Sequence, residues 1–219
     1  PTQNGVPILV WDLPTRLFHW LLVILVTTSF VTASIGGIWM QTHMKSGYTI
    51  LGLLVFRIIW GFVGGRYARF SSFVRGPKTV FGYARDLLQG QARKHLGRNP
   101  MGGWSVLAML ICLTIQAVSG LFASDDIFVK GPLYDWVGKA ASDGLTRLHR
   151  LNQEVLLGLV ALHLIAVFFY LVVKRENLIR PMVTGRKRWQ SANQASSNRI
   201  GIAALIGGLT AIAVFLLVR

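Results

Sequence analysis

Residues 149–163 read HRLNQEVLLGLVALH, and the apolar run continues to Val173 before two basic residues end it. A stretch this long and apolar predicts a membrane-spanning helix, which needs roughly 20 such residues. The 14-residue step from His149 to His163 is just under four turns. Both rings therefore leave one face, about 21 Å apart along the axis. Ionisable groups at such depth are costly and usually functional. The pattern predicts two imidazoles that each ligate one haem of a stacked pair; hydrogen bonding to neighbouring helices is the alternative.

The composition places the chain among integral membrane proteins. Of its 219 residues, 53% are hydrophobic, and the mean hydropathy is +0.51. Its net charge of +15 falls in loops between apolar segments, so membrane topology explains it better than nucleic-acid binding does. Cys112 is the single cysteine and no C-x-x-C-H occurs, which excludes covalently attached c-type haem. No cleavable signal peptide is expected, because no A-x-A site accompanies the first apolar helix.

Five apolar runs predict five membrane spans. They cover about residues 15–35, 42–62, 104–122, 149–173 and 200–218. Between the second and third, residues 77–90 predict a short amphipathic helix on the membrane, with Val80, Phe81, Ala84, Leu87 and Leu88 towards lipid. The fold class is therefore all-α: an integral membrane helical bundle with a four-helix core and a fifth C-terminal transmembrane helix. We expect a membrane domain over residues 1–188, and a linker with the additional helix over residues 189–219.

The charges of the loops predict the orientation. Loops 64–103 and 174–199 carry eight and seven Lys/Arg, whereas loop 123–147 carries three, together with four aspartates. Basic loops stay on the cytoplasmic side. We therefore expect a bacterial inner-membrane protein with a cytoplasmic N-terminus and a periplasmic C-terminus.

Four histidines form two pairs by depth under this topology. His19 and His163 lie near the inner surface, and His43 and His149 lie near the outer surface. Bis-imidazole ligation needs one ring on each face of a porphyrin, supplied here by facing helices. The sequence thus predicts His19 and His163 as ligands of an inner haem iron, and His43 and His149 as ligands of an outer one. His95, in a basic loop, is expected to be solvated.

Several segments resemble the bacterial diheme cytochrome b-561 family, which includes the cytochrome b subunit of nickel–iron hydrogenases. They are WDLPTRLFHW (11–20), HMKSGY (43–48), RIIWGFVGGRYARF (57–70) and the H-x13-H of the fourth span. The resemblance covers roughly residues 10–188. It implies two non-covalent b haems, the same four histidines as ligands, electron transfer across the membrane and exchange with quinone. Cytochrome b of the quinol–cytochrome c oxidoreductases carries a histidine pair on each of two helices. This chain does not fit that pattern, because Ala33 and Arg57, not histidines, stand fourteen residues past His19 and His43.

Three further residues are candidate cofactor contacts. Arg57 lies on the face of His43, where a haem propionate or a helix carbonyl would pair its charge; snorkelling to the headgroups is the alternative. Gly47 and Gly158 would let a porphyrin approach the backbone, although helix packing is the commoner use of small residues. Residues 66–70, RYARF, are either part of an inner quinone or propionate site or an ordinary positive-inside loop.

The expected function is an electron conduit between the quinone pool and a periplasmic redox partner, such as a c-type cytochrome or a hydrogenase-like protein. The partners expected are membrane lipid and quinone, with no nucleic acid; enzymatic activity and oligomeric state stay open. The first alternative is a quinone-linked enzyme of the superoxide oxidase type, because the family includes members that pass electrons between quinone and superoxide. The acidic outer loop argues against that anionic substrate. The second alternative is a transporter that uses the histidines for a metal or proton path.

Overall fold

The computed structural model describes residues 5–127, 129–189 and 195–219. Within them the chain is mostly helical, with one small sheet. The helices are α1 Leu13–Ile35, α2 Met40–Val63, α3 Phe70–Phe73, α4 Pro77–Leu88, α5 Pro100–Phe122, α6 Lys139–Val172, α7 Ile179–Thr184 and α8 Ile200–Leu217. The strands are β1 Val6–Leu9 and β2 Arg186–Trp189, which pair antiparallel. The all-α membrane fold predicted above is confirmed.

Five of the described helices are long and apolar enough to cross a membrane: α1, α2, α5, α6 and α8. Each coincides with a predicted span, and the largest difference lies at the start of α6. That helix begins at Lys139, ten residues before the predicted start, because its first turns are polar and carry no apolar signal. They are nonetheless held in place, since Ser142 is fully buried and its hydroxyl donates to the carbonyl of Phe122 at 2.7 Å.

The contacts of the chain divide it into two compact units. The first comprises Pro1–Leu17, Ile58–Ala108 and Ala161–Ala203. At its centre the buried carboxylate of Asp12, 1% exposed, accepts the backbone N–H of Thr15 at 2.8 Å and of Gly65 at 3.1 Å. It also accepts the indole N–H of Trp60 at 3.3 Å. Asp12 thereby caps the N-terminus of α1, where a carboxylate is favoured, and ties it to the end of α2.

The second unit comprises Phe18–Arg57, Met109–Val160 and Ala204–Arg219. Its apolar cluster is built on Leu51, Leu121 and Leu133, and Val214 and Val218 pack against it. The last turns of the chain therefore contribute side chains to the same core as α2 and α5. A domain boundary at residues 188 and 189 stays a prediction.

Helix α4 confirms the predicted amphipathic segment and refines its faces. Tyr83 is buried and Val80, Ala84 and Leu87 are half-buried, whereas Phe81 and Leu88 are 72% and 90% exposed. Only the last two of the predicted lipid-facing side chains are thus fully exposed, because the helix rests its i, i+3, i+4 face on the protein.

Candidate metal centre

His43 on α2 and His149 on α6 come together within the second unit. Their ring centroids lie 6.1 Å apart and their planes are inclined at 86°. His43 lies in the first turn of α2, and His149 lies ten residues inside α6. Both rings are half-buried. Two helices therefore present one imidazole each to a shared space.

Each of these rings has its Nδ1 occupied by a backbone carbonyl. Nδ1 of His43 donates to the carbonyl oxygen of Ser29 at 2.9 Å, and Nδ1 of His149 donates to that of Gln116 at 2.9 Å. A carbonyl oxygen only accepts, so Nδ1 carries the proton in both rings. The lone pair of each neutral imidazole is then on Nε2, which is the arrangement that metal-ligating histidines adopt.

The spacing of the rings fits one metal ion held between them. Two metal–nitrogen bonds of about 2 Å, plus roughly 1 Å from each nitrogen to its ring centre, put axial imidazole centroids about 6 Å apart. The observed separation is 6.1 Å. Among the described residues no group of three or more His, Cys, Asp or Glu side chains gathers at a metal-binding distance. A protein zinc site takes three or four such ligands, so a two-histidine set fits haem iron better, since the porphyrin supplies the other four nitrogens.

The surroundings of His149 include residues that the sequence analysis did not single out. A Cβ added at Gly120 would lie 2.9 Å from Cε1 of the His149 ring, so only glycine leaves room for it. Ser119 Oγ lies 3.2 Å from Nδ1 of the same ring. Asn152, one turn after His149, donates to the side-chain oxygen of Gln116 at 2.7 Å and to the carbonyl of Cys112 at 2.9 Å. Spacing along α6 does not predict these residues, because their roles depend on contacts between α6 and α5.

His43 has a smaller set of supporting contacts. The hydroxyls of Ser29 and Ser46 lie 2.8 Å apart, and Ser46 donates to the carbonyl of His43 at 2.8 Å. The residue whose carbonyl holds the ring is thus bonded to a serine one turn along α2. The two histidines are oriented by different neighbours, so the orientation of each ring is set by its own contacts.

The remaining histidines lie in different surroundings. His19 is half-buried in α1, with the ring of Trp20 edge-on at 5.0 Å, and His163 is half-buried in α6. Their pairing stays a prediction. His95, which was expected to be solvated, is half-buried: its Nδ1 donates to the carbonyl of Arg93 at 2.9 Å, and its ring lies 5.2 Å from that of Tyr83.

The other candidate contacts differ in their burial. Arg57 is 1% exposed, which disfavours snorkelling into the headgroups and favours a buried role for its charge. Gly47 follows His43 by about one turn on the same face of α2, and a Cβ there would meet nothing within 4 Å. Gly158 also borders open space, but it lies nine residues past His149 and hence on the opposite face of α6. Contact of any of the three with a porphyrin stays a prediction.

Comparison with known proteins points to one family. The family model described as prokaryotic cytochrome b561 matches residues 10–185. The "Probable Ni/Fe-hydrogenase B-type cytochrome subunit" of Rhodobacter capsulatus is 23% identical over 218 residues, which cover 83% of this chain and 81% of that protein. The protein of the same description from Azotobacter vinelandii is 24% identical over 212 residues, with coverage of 80% and 86%. No solved structure matches the chain.

Proposed function

Because this chain belongs to the prokaryotic cytochrome b561 family, we propose that it carries electrons across the membrane between the quinone pool and a redox protein on the opposite side. The chain is a multi-pass membrane b-type cytochrome that takes part in electron transfer. The identity of the donor and acceptor, the number of haems and the ligand set belong to the proposal.

The geometry of His43 and His149 is the observation that carries this function. Their 6.1 Å separation and their carbonyl-bonded Nδ1 atoms suit two axial ligands of one haem b. When bound, the haem supplies reversible one-electron redox chemistry, and the protein supplies ligation, orientation and a low-dielectric surrounding. His19 and His163 hold a second haem b in this proposal. The 14-residue step from His149 to His163 spaces the two sites about 21 Å apart along α6.

The proposed orientation places the basic loops in the cytoplasm. The long loop between α2 and α5 and the loop after α6 carry most of the positive charge, and positive loops stay inside. The protein is then a bacterial inner-membrane protein with its N-terminus cytoplasmic and its C-terminus periplasmic. Under this topology the His43–His149 pair lies on the periplasmic side, and His19 and His163 lie on the cytoplasmic side.

The redox partner on the periplasmic side is proposed to be a hydrogenase-like protein or a c-type cytochrome. The relatives' names support the first choice. A cavity of about 420 Å³ adjoins the N-terminal part of α6 and has both signs of charge in its lining, from Asp125, Asp126, Asp143, Arg147 and Arg150. Such mixed charge suits a protein partner better than the superoxide anion.

Redox titration of four single variants tests the ligand pairs. We expect His43→Ala and His149→Ala to lose the same low-spin haem component and to leave the other component near its original midpoint potential. His19→Ala and His163→Ala should share the complementary loss. His95→Ala is the matched control and should change neither component. Matching spectra for the His19 and His149 variants would overturn the pairing.

Reduction by a short-chain quinol in proteoliposomes tests the quinone part of the proposal. We expect quinol to reduce the haems of the unaltered protein. Replacement of either member of a histidine pair should stop electron transfer to an acceptor trapped on the other side of the membrane. Full reduction by a membrane-impermeant dye but none by quinol would contradict a role for the quinone pool while leaving the haem ligation intact.

A further inference from the structure

Helix α4 has four different faces along its twelve residues. One face rests on the protein, a second is apolar and exposed, a third is basic and exposed, and a fourth is exposed and carries Asp86. Successive residues turn by about 100°, so the faces follow one another around the helix in that order.

The protein-facing side is anchored by Tyr83. Its side chain is 8% exposed, and its hydroxyl lies 2.8 Å from the hydroxyl of Tyr170. Asn99 donates to that same Tyr170 hydroxyl at 2.8 Å. Because Tyr170 lies on α6 and Asn99 immediately precedes α5, these bonds hold α4 beside two membrane-spanning helices and fix its rotation about its own axis.

The apolar exposed face consists of Phe81 and Leu88, seven residues apart and therefore on one line of the helix. Their side chains are 72% and 90% exposed, and an exposed apolar line on an amphipathic helix beside membrane spans suits the acyl side of the interface. Trp104, near the start of α5, is 43% exposed, and its indole donates to the carbonyl of Arg75, two residues before α4; an exposed tryptophan near the end of a span suits the headgroup level. The start of α4 is thus held beside the start of α5, where the span meets the interface.

The basic face follows directly, with Lys78 and Arg85 again seven residues apart. Both side chains are exposed, and neither forms an ion pair with any residue that the structure describes. Their spacing is about 10 Å along the helix, which leaves room for a phosphate group between them. Two unpaired cations next to a membrane-facing apolar line fit an acidic headgroup.

We propose that α4 is a binding surface for anionic phospholipid, with Phe81 and Leu88 among the upper acyl carbons and the phosphate between Lys78 and Arg85. A basic residue at an anionic membrane surface favours binding roughly five-fold, so two of them give about a 25-fold preference for anionic over zwitterionic lipid. The surface is separate from the histidine pairs and does not depend on how many haems the chain holds.

Lipid retention by the intact haem-loaded protein tests the cationic face. We compare the unaltered chain with a Lys78→Gln/Arg85→Gln variant by counting retained phosphatidylglycerol and phosphatidylcholine in native mass spectrometry. The preference for phosphatidylglycerol should fall about 25-fold in the variant. An Arg93→Gln/Lys94→Gln variant removes the same charge from the same loop outside α4 and should keep the preference. An unchanged haem absorption spectrum shows that each variant is folded.

Equal losses in the two double variants would reduce the effect to net charge and overturn the proposal. A label on Leu88→Cys, made in a Cys112→Ser background, tests the apolar face separately. Lipids brominated near the headgroup should quench its fluorescence in vesicles. No quenching would mean that protein, such as a second copy of this chain, covers the face instead, and that outcome would also overturn the proposal.

Discussion

The ring centroids of His43 and His149 lie 6.1 Å apart, and the planes of the two imidazoles are inclined at 86°. The two residues stand 106 positions apart in the sequence, yet both hold a protonated Nδ1 against a backbone carbonyl. Such hydrogen bonds fix the tautomer and the ring orientation that a metal ligand requires. The proposed haem site therefore has its donor set arranged by the fold itself.

The first prediction concerns haem content. His43→Ala or His149→Ala removes one of two axial ligands, so we expect the purified protein to fall from two haems per chain to about one. Pyridine haemochrome analysis measures this ratio, and acid acetone should extract all of the haem because none is covalently bound. His95→Ala should keep both haems. Retention of two haems by both ligand variants would contradict the assignment.

The second prediction follows from the ring planes. Near-perpendicular imidazoles leave two of the iron d orbitals close in energy, which produces a strongly anisotropic low-spin ferric signal. Electron paramagnetic resonance of the oxidised protein should show such a signal, and it should disappear in His149→Ala. A spectrum made up only of rhombic signals, as parallel rings give, would be inconsistent with the observed 86°.

The third prediction concerns Asn152 as a positioning residue. Asn152→Val removes the donor that holds the side chain of Gln116, and Gln116 supplies the carbonyl that bonds His149. A weaker Nδ1 hydrogen bond makes the imidazole less basic and stabilises ferric iron less. The midpoint potential of that haem should therefore rise, on the order of 20–60 mV for a loss of about 0.5–1.5 kcal/mol.

Thr114→Val is the control for that experiment. Thr114 is also on α5, but its hydroxyl bonds to the carbonyl of Leu110 in its own helix. We expect no change in either potential. An equal shift in both variants would assign the effect to general loosening of α5.

The fourth prediction concerns sidedness. Gln91 and Ala140 are both exposed; Gln91 lies in the basic segment after α4, and Ala140 lies in the first turn of α6, next to the acidic loop. Single cysteines at these positions in a Cys112→Ser background should react with an impermeant reagent from opposite sides, with position 140 periplasmic. Modification of both from one side of sealed vesicles would reject the proposed topology.

The fifth prediction concerns the seating of α4. Burial is the largest influence on the pKa of Tyr83 and raises it above the ordinary tyrosine value of 10.0; the hydrogen bond with Tyr170 acts in the opposite direction. The phenol therefore keeps its proton to higher pH in the folded protein than in the unfolded chain. Its contribution to stability is complete below about pH 10 and is lost as pH rises through the folded-state pKa.

Tyr83→Phe isolates that contribution. The variant should lose about 0.5–1.5 kcal/mol at neutral pH and show a smaller fall in stability on the alkaline side. Thermal unfolding followed by haem absorbance measures both effects. Hydrogen exchange should be faster in α4 and unchanged in α8. Identical alkaline unfolding of the two proteins would show that Tyr83 is not the group responsible.

Much of the helical architecture can be predicted from the sequence, because the bilayer imposes a length and an apolar composition on every span. The fifth span was expected over residues 200–218 and is found at Ile200–Leu217. Pro77 at the first position of α4 likewise marks a helix start that the structure retains. The 14-residue step between His149 and His163 was sufficient to suggest two stacked sites, since helical geometry converts spacing into direction and depth.

Tertiary structure alone decided the features that depend on distant partners. The pairing of β1 with β2 joins segments that lie far apart in the sequence. Strands of four residues are also too short to show an alternation of apolar and polar residues. The burial of Asp12 depends on the N–H of Gly65, and the place of the His149 ring depends on the missing side chain of Gly120. Spacing along one helix predicts which way a ring points, but only the packing of neighbouring helices determines what that ring meets.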